Sequence, residues 1–299
     1  MIAAWVLAAA FSLQGEIDAV AEKGGGKIVV PAGEHFSAGP IRLRSNVELH
    51  LEEGARIVFS DNPRDYLPVV PTSWEGVECL NYSPLVYAYG CTNVAITGKG
   101  TFAPKMDFWR KWFGRGKGHM EATRRLYDWC SFNAPMEERD LTKISESNVR
   151  PHLIQFNHCK DVRLEGFKIR ESPFWTIHLF LCDGAVVRGL DVYAHGHNND
   201  GIDVEMTKNV LVENCRFDQG DDAVVIFPTH EVRVTPIRNL VMKNVSVEEA
   251  ERLVDLRGDT RDPIDGVTLE NVRLAKARKA DRIENAVNVA VNAPRVKCR

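Results

Sequence analysis

The chain has 299 residues, of which 44% are hydrophobic and 26% charged, and its formal net charge is −3. That length and balance suit one large soluble unit with a sizeable core, and they give no reason to expect nucleic acid or an anionic membrane surface as a partner. Seven cysteines, an odd number with no C-x-x-C pair, argue against a disulfide framework and against a zinc site.

The N-terminal run MIAAWVLAAAFS has the length of a signal-peptide apolar core, with small residues at Ala8 to Ala10 but no basic residues ahead of them. An export signal and a buried first element fit it equally, and it is too short to span a bilayer. Ser12 to Gly26, SLQGEIDAVAEKGGG, predicts a short amphipathic helix closed by glycines, placed to cap the first open strand edge.

From there the chain repeats. NVELHLEEG from Asn46, NVAITGKGT from Asn93, DVRLEGFKI from Asp161 and GAVVRGLDV from Gly184 share a small or polar opener, a short alternating strand, a turn residue and a second strand. NVLVENCRF from Asn209, NLVMKNVSV from Asn239, GVTLENVRL from Gly266 and NVAVNAPRV from Asn288 continue the pattern. Starts from Asp161 onward fall 23, 25, 30, 27 and 22 residues apart. The earlier gaps of 47 and 68 read as two and three such units. Strands without crossover helices at a coil length in the low twenties predict an all-β parallel β-helix; an evenly spaced β-sandwich is the competing fold. Asn214, Asn244 and Asn271 share a phase and predict a side-chain ladder along one turn. Cys159, Cys182 and Cys215 sit in apolar strand contexts and read as small buried residues. The whole chain, 1–299, reads as a single β-helix domain. Residues 104–150, with FWRKWFGRGKGHMEATRRLYDW inside, form a long aromatic insertion expected to flank a cleft or to pack its own aromatics.

In a solenoid, a spacing equal to one coil brings residues side by side. Asp200 in NNDGID and Asp221–Asp222 in QGDDAVV lie 21 and 22 residues apart, so they should occupy neighbouring rungs about 5 Å apart. Three carboxylates on one exposed patch raise at least one pKa, and one protonated acid beside ionised ones is the equipment of glycoside hydrolysis. The same residues also serve as turn formers, and clustered carboxylates can hold calcium.

NNDGID at 198–203 followed by GDDAVVI at 220–226 resembles the core of the pectin-degrading polygalacturonases, glycoside hydrolase family 28. GGGKIVVPAGEHFSAGPIRLRSNVELHLEEGARI and YSPLVYAYGCTNVAITGKGTF are similar to its first coils, and the resemblance extends from Ser12 to Ile226. It implies a right-handed, single-stranded parallel β-helix that cuts galacturonan or a related rhamnogalacturonan with no cofactor and no metal. Asp221 would be the general acid, and Asp200 and Asp222 would hold the attacking water, giving inversion. Rung spacing alone points instead to the shorter carboxyl separation of about 5–5.5 Å found in retaining enzymes.

The chain departs from the family pattern after GDD. The family's GHG and RIK motifs are absent, and two or more coils are expected to be missing between Ile226 and about Pro236. His195-Gly196-His197 precedes NND instead of following GDD. His197, Asn199, His230 and Trp175 are candidates for substrate contact, Trp175 as a cleft floor or as core. Arg233, Arg238 and Arg257 are candidates for gripping a uronate. The expected partner is thus a polysaccharide, met by a monomer that is secreted or periplasmic. The alternatives are a shortened homologue that binds polysaccharide without cutting it, and a calcium-dependent lyase, for which no basic proton abstractor stands out.

Overall fold

The computed structural model describes residues 13–227 and 236–292, Phe227 by its backbone alone. The N-terminal apolar run, His230, Arg233 and Cys298 lie outside the described residues. Helix α1, Leu13–Glu22, turns Ile17 inward and packs on the first strand, Gly26–Val30, as a cap. From that strand on, the chain winds as a right-handed parallel β-helix whose three stacked sheets hold nine, eight and eight strands among the described residues. Each coil contributes one strand to each sheet in turn; Asp183–Arg188, Asp191–Ala194 and Ile202–Glu205 make one such coil.

The corners explain the repeat. All eight opener residues, Asn46, Asn93, Asp161, Gly184, Asn209, Asn239, Gly266 and Asn288, have positive φ, between 53 and 84°. Only Gly, and next Asn and Asp, enter that region at low cost. The amides also bond from rung to rung: Asn93 Nδ2 donates to Asn46 Oδ1 at 3.1 Å and Asn239 to Asn209 at 3.0 Å. At the next corner Asn214, Asn244 and Asn271 repeat the left-handed turn, and Asn271 Nδ2 donates to Asn244 Oδ1 at 2.8 Å.

Inside the coil, identical positions stack. Ile154, Ile177, Ile202, Val224 and Val254 form one file through the third sheet, each pairing with the next. All five are buried, and burial of each side chain stabilises the stack by roughly 1.5–3 kcal/mol. The cysteines at 79, 91, 130, 159, 182 and 215 are buried.

The two long gaps are not extra coils. Glu48 pairs with Ala95 and Val94 with Val162, so each gap is a single rung. The surplus residues leave the stack as excursions, and both depart from the corner between the second and third sheets. The first holds an antiparallel hairpin, Val70–Trp74 with Val77–Asn81. The second follows Thr101–Pro104 and carries helix α2, Lys117–Ser131. Trp74, Val77, Leu126, Leu141, Phe174, Trp175 and Val225 bury one another in a second core between these excursions and the outer face of the third sheet. That cover is why Ile154–Asn157, Ile177–Phe180 and Ile202–Glu205 are buried on both faces. Downstream, Val224–Phe227 pairs directly with Val254–Arg257, so the third sheet continues in register past the junction.

Candidate active site

The corner that releases both excursions goes on, in later coils, to carry the acids. His195 to Gly201 precede strand Ile202–Glu205, Gly220 to Ala223 precede Val224–Phe227, and Glu251 to Leu253 precede Val254–Arg257. Because Ile202 pairs with Val224, Asp200 and Asp222 occupy equivalent positions on adjacent rungs. Gly201 N donates to Asp222 O at 3.0 Å, which fixes the match. A Cβ on Gly201 would lie 2.4 Å from Ala223 O, and one on Gly220 would lie 2.5 Å from Gly196 N. The glycines of both motifs thus let successive corners nest.

The acids are not an exposed patch. Asp200 is 8% and Asp222 5% exposed, and Asp203 is fully buried, because the hairpin and insertion roof this corner. Burial pushes the Asp200 carboxyl well up, and Asp203, Asp221, Asp222 and Glu75 push further. Burial likewise raises Asp203, opposed by the neighbouring Asp200 carboxyl, and among the described residues neither Asp203 oxygen has a hydrogen-bond partner. Two buried carboxyls this close cannot both ionise without mutual cost. Asp221, partly exposed, is raised by burial and by Glu251, against Arg278. Asp222 is raised to about 6 by burial and Asp221, against the Arg252 amide and guanidinium; the Arg252 N–H donates to its Oδ1 at 2.6 Å.

Oxygens of Asp221, Asp222 and Glu251 lie within 4.8 Å of one another. Lys279 Nζ, 2.6 Å from Glu251 Oε1, and Arg252 Nη1, 3.0 Å from its Oε2, already balance Glu251 with cations of the chain. The donor set therefore suits a proton-transfer site better than a calcium cage.

The hairpin is clamped by a buried polar chain. Ser73 Oγ donates to both Glu205 oxygens, at 2.7 and 2.8 Å, and His178 Nε2 lies 2.9 Å from Glu205 Oε2. Gln155 Nε2 donates to His178 Nδ1 and to Thr72 Oγ1, both at 2.8 Å. Burial holds His178 down at about 3, so the ring is neutral, accepts at Nδ1 and donates from Nε2. Two residues beyond Ser73, at the hairpin tip, Glu75 adopts φ 51° above the acids. Burial raises its carboxyl, and Arg115 from the insertion and Arg257 from the third sheet oppose that.

The remaining candidates are placed as follows. Trp175 lies in the second core, stacked on Phe174 and His152. Asn199 is buried and spends its Nδ2 on Ser172 O and Phe174 O, both at 2.9 Å. His197 contacts the Arg150 guanidinium, and burial with Arg150 lowers it to about 4. His195 pairs with Asp218 at 2.6 Å. Arg238 sits in the first sheet, bonded to Asp262, whereas Arg257 is in the third, on the Glu205 file.

A sequence model of the family described as glycosyl hydrolases family 28 matches residues 136–238. The solved structure of a hyperthermoactive exopolygalacturonase from Thermotoga maritima is 32% identical, with TM-score 0.65 over 93% of this chain and 69% of that one. The chain belongs to glycosyl hydrolases family 28. This family 28 chain is also 24% identical over 210 residues to an endo-polygalacturonase of Pectobacterium carotovorum subsp. carotovorum, 67% of this chain and 46% of the relative. A Yersinia enterocolitica family 28 exopolygalacturonase, at 23% identity, shares the fold, with TM-score 0.67 over 87% of this chain and 50% of that one. The family 28 chain spans 38 and 46% of the lengths of its matched relatives from Vitis vinifera and Pectobacterium.

The sequence reading named Asp200, Asp221 and Asp222 for the site. It missed Asp203 beside Asp200, Glu75, and the Glu251–Arg252 step. Glu251 and Arg252 had a usable signal, since they stand one rung beyond Asp221 and Asp222 at the same corner.

Proposed function

We propose that the chain hydrolyses α-galacturonide linkages of pectin by single displacement with inversion. Asp221, the most accessible of the acids and raised by burial, gives its proton to the leaving oxygen. Asp222, ionised above about pH 6, and the Asp200–Asp203 pair, which keeps one negative charge, hold and deprotonate the attacking water. Arg115 and Arg257, the latter also paired with Asp255, supply positive charge beside Glu75 for a uronate carboxylate. The observation that carries this reading is the matched position of Asp200 and Asp222 on adjacent rungs with Asp221 beside them.

The hairpin and insertion close the third-sheet face on the N-terminal side of the acids. A groove walled on one side favours a chain end over a mid-chain segment, so we read the cut as exo. The monomer acts where pectin is, outside the cytoplasmic membrane. Among the described residues no helix is long and apolar enough to cross a membrane. Sugar release from polygalacturonate by the chain and by Asp221→Asn tests the reading. Monomer release that disappears in the variant supports it, and no release by a folded wild-type chain overturns it.

A further inference from the structure

Arg150 ends the insertion and is fully buried, yet among the described residues none of its contacts is a carboxylate. Nη1 donates to Pro173 O at 2.7 Å and to His197 O at 2.6 Å, and Nη2 donates to Asn198 Oδ1 at 3.0 Å and lies 3.2 Å from His197 Nδ1. The rings of Phe113 and Phe174 stand 4.9 and 5.1 Å from the guanidinium carbon. Nε is buried without a partner. A buried charge with no contacting counter-charge costs several kcal/mol after relaxation, so such a group persists only where its field and hydrogen bonds are used.

Three of the four polar contacts converge on His197 and Asn198, three and two residues ahead of Asp200. Asn198 needs such a clamp, because it is left-handed at φ 59° and its turn must bring Asp200 onto the rung of Asp222. We propose that Arg150 is a positioning residue for the hydrolysis inferred above: its planar fork fixes the His197–Asp200 turn, and its charge is the buried cation that keeps the Asp200–Asp203 pair negative. Every other titratable group shown to face Asp200, namely Asp203, Asp221, Asp222 and Glu75, is an acid that opposes its ionisation. The histidines facing Arg150, His119 and His197, are both shifted toward the neutral form. Arg150 itself is pulled down to about 9 by burial and held up by Asp200, the reciprocal of the effect proposed.

The inference rests on the hydrolytic reading, and one set of variants separates the two. Arg150→Met removes charge and fork; Arg150→Lys keeps the charge and loses the bidentate geometry. The Asp200 carboxyl is followed by 13C NMR of aspartate-labelled protein, assigned with Asp200→Asn, and kcat and KM are measured against pH. In Arg150→Met the Asp200 titration should move up by about one pH unit or more, and the acidic limb of kcat should move with it. In Arg150→Lys the titration should stay near its wild-type midpoint while kcat falls by about 100-fold at little-changed KM, the penalty of a misplaced group. A folded Arg150→Met with an unmoved Asp200 titration overturns the proposal, and so does failure of both variants to fold, which would make Arg150 a residue of the fold alone. A wild-type chain without activity overturns the hydrolytic reading, and the NMR titration then still decides the electrostatic link between Arg150 and Asp200.

Discussion

The amide of Gly201 donates to the carbonyl of Asp222 across 3.0 Å, and this bond sets the two acidic motifs in register. The chain path around Gly201 leaves no room for a side chain. Gly201→Ala would drive a methyl to within 2.4 Å of Ala223 O and 2.9 Å of Phe217 Cδ1. The expected cost is about 1–3 kcal/mol of stability, read as a lower denaturant midpoint, with a loss of activity larger than the stability change explains.

Stereochemistry tests the assignment of the acids. Proton NMR of freshly released sugar should show the inverted anomer first. Retention would mean that one aspartate attacks the sugar directly, as the one-rung spacing would allow.

The site acids make stability depend on pH with a definite sign. Asp200, Asp203, Asp221 and Asp222 all have raised pKa values, Asp222 to about 6. A carboxyl raised on folding binds more protons in the folded than in the unfolded chain. Its contribution is full below the unfolded value of about 4 and is lost as pH climbs through the folded value. Through Asp222 the chain should lose stability between about pH 4 and 6, and Asp200, Asp203 and Asp221 act in the same direction. Asp203→Asn removes one such buried acid. It should raise the melting temperature at pH 7, change it little at pH 4, and reduce activity. An equal shift at both pH values would separate Asp203 from the titration.

Ser73→Ala removes both hydroxyl contacts to the buried Glu205 carboxylate and leaves it more poorly satisfied. The expected loss is about 1–3 kcal/mol. Limited proteolysis should show the damage locally, as faster cutting at the hairpin tip around Glu75 and Gly76.

The rung positions were legible because corner chemistry is local. Asn, Asp and Gly turn left-handed at low cost and stand at all eight openers, which announce themselves, whereas His158, Leu181 and Met206 take the same conformation without that mark. The acids were legible by the same arithmetic, since Asp200 and Asp222 stand one coil apart. The roof was not. Thr72 meets Gln155 across 83 residues and Ser73 meets Glu205 across 132, and no period links such pairs. Gaps of 47 and 68 looked like whole coils because an excursion's length carries no mark of whether its residues stay in the stack. Arg150, next to a proline at the end of a basic insertion, looks like any other surface arginine until its burial is seen.

Both excursions leave the stack and return to it within a single coil, between its second-sheet and third-sheet strands, without shifting the register on either side. Parts built this way can be exchanged. A hairpin of another length, or another helix in place of α2, could be spliced between residue 59 and residue 86, or between 104 and 149 with Arg150 kept, while the carboxylates keep their places. In such an architecture, reaction and access can diverge separately in evolution. Variation confined to two loops would change which saccharides arrive and how deep they reach, with the stacked scaffold left as inherited.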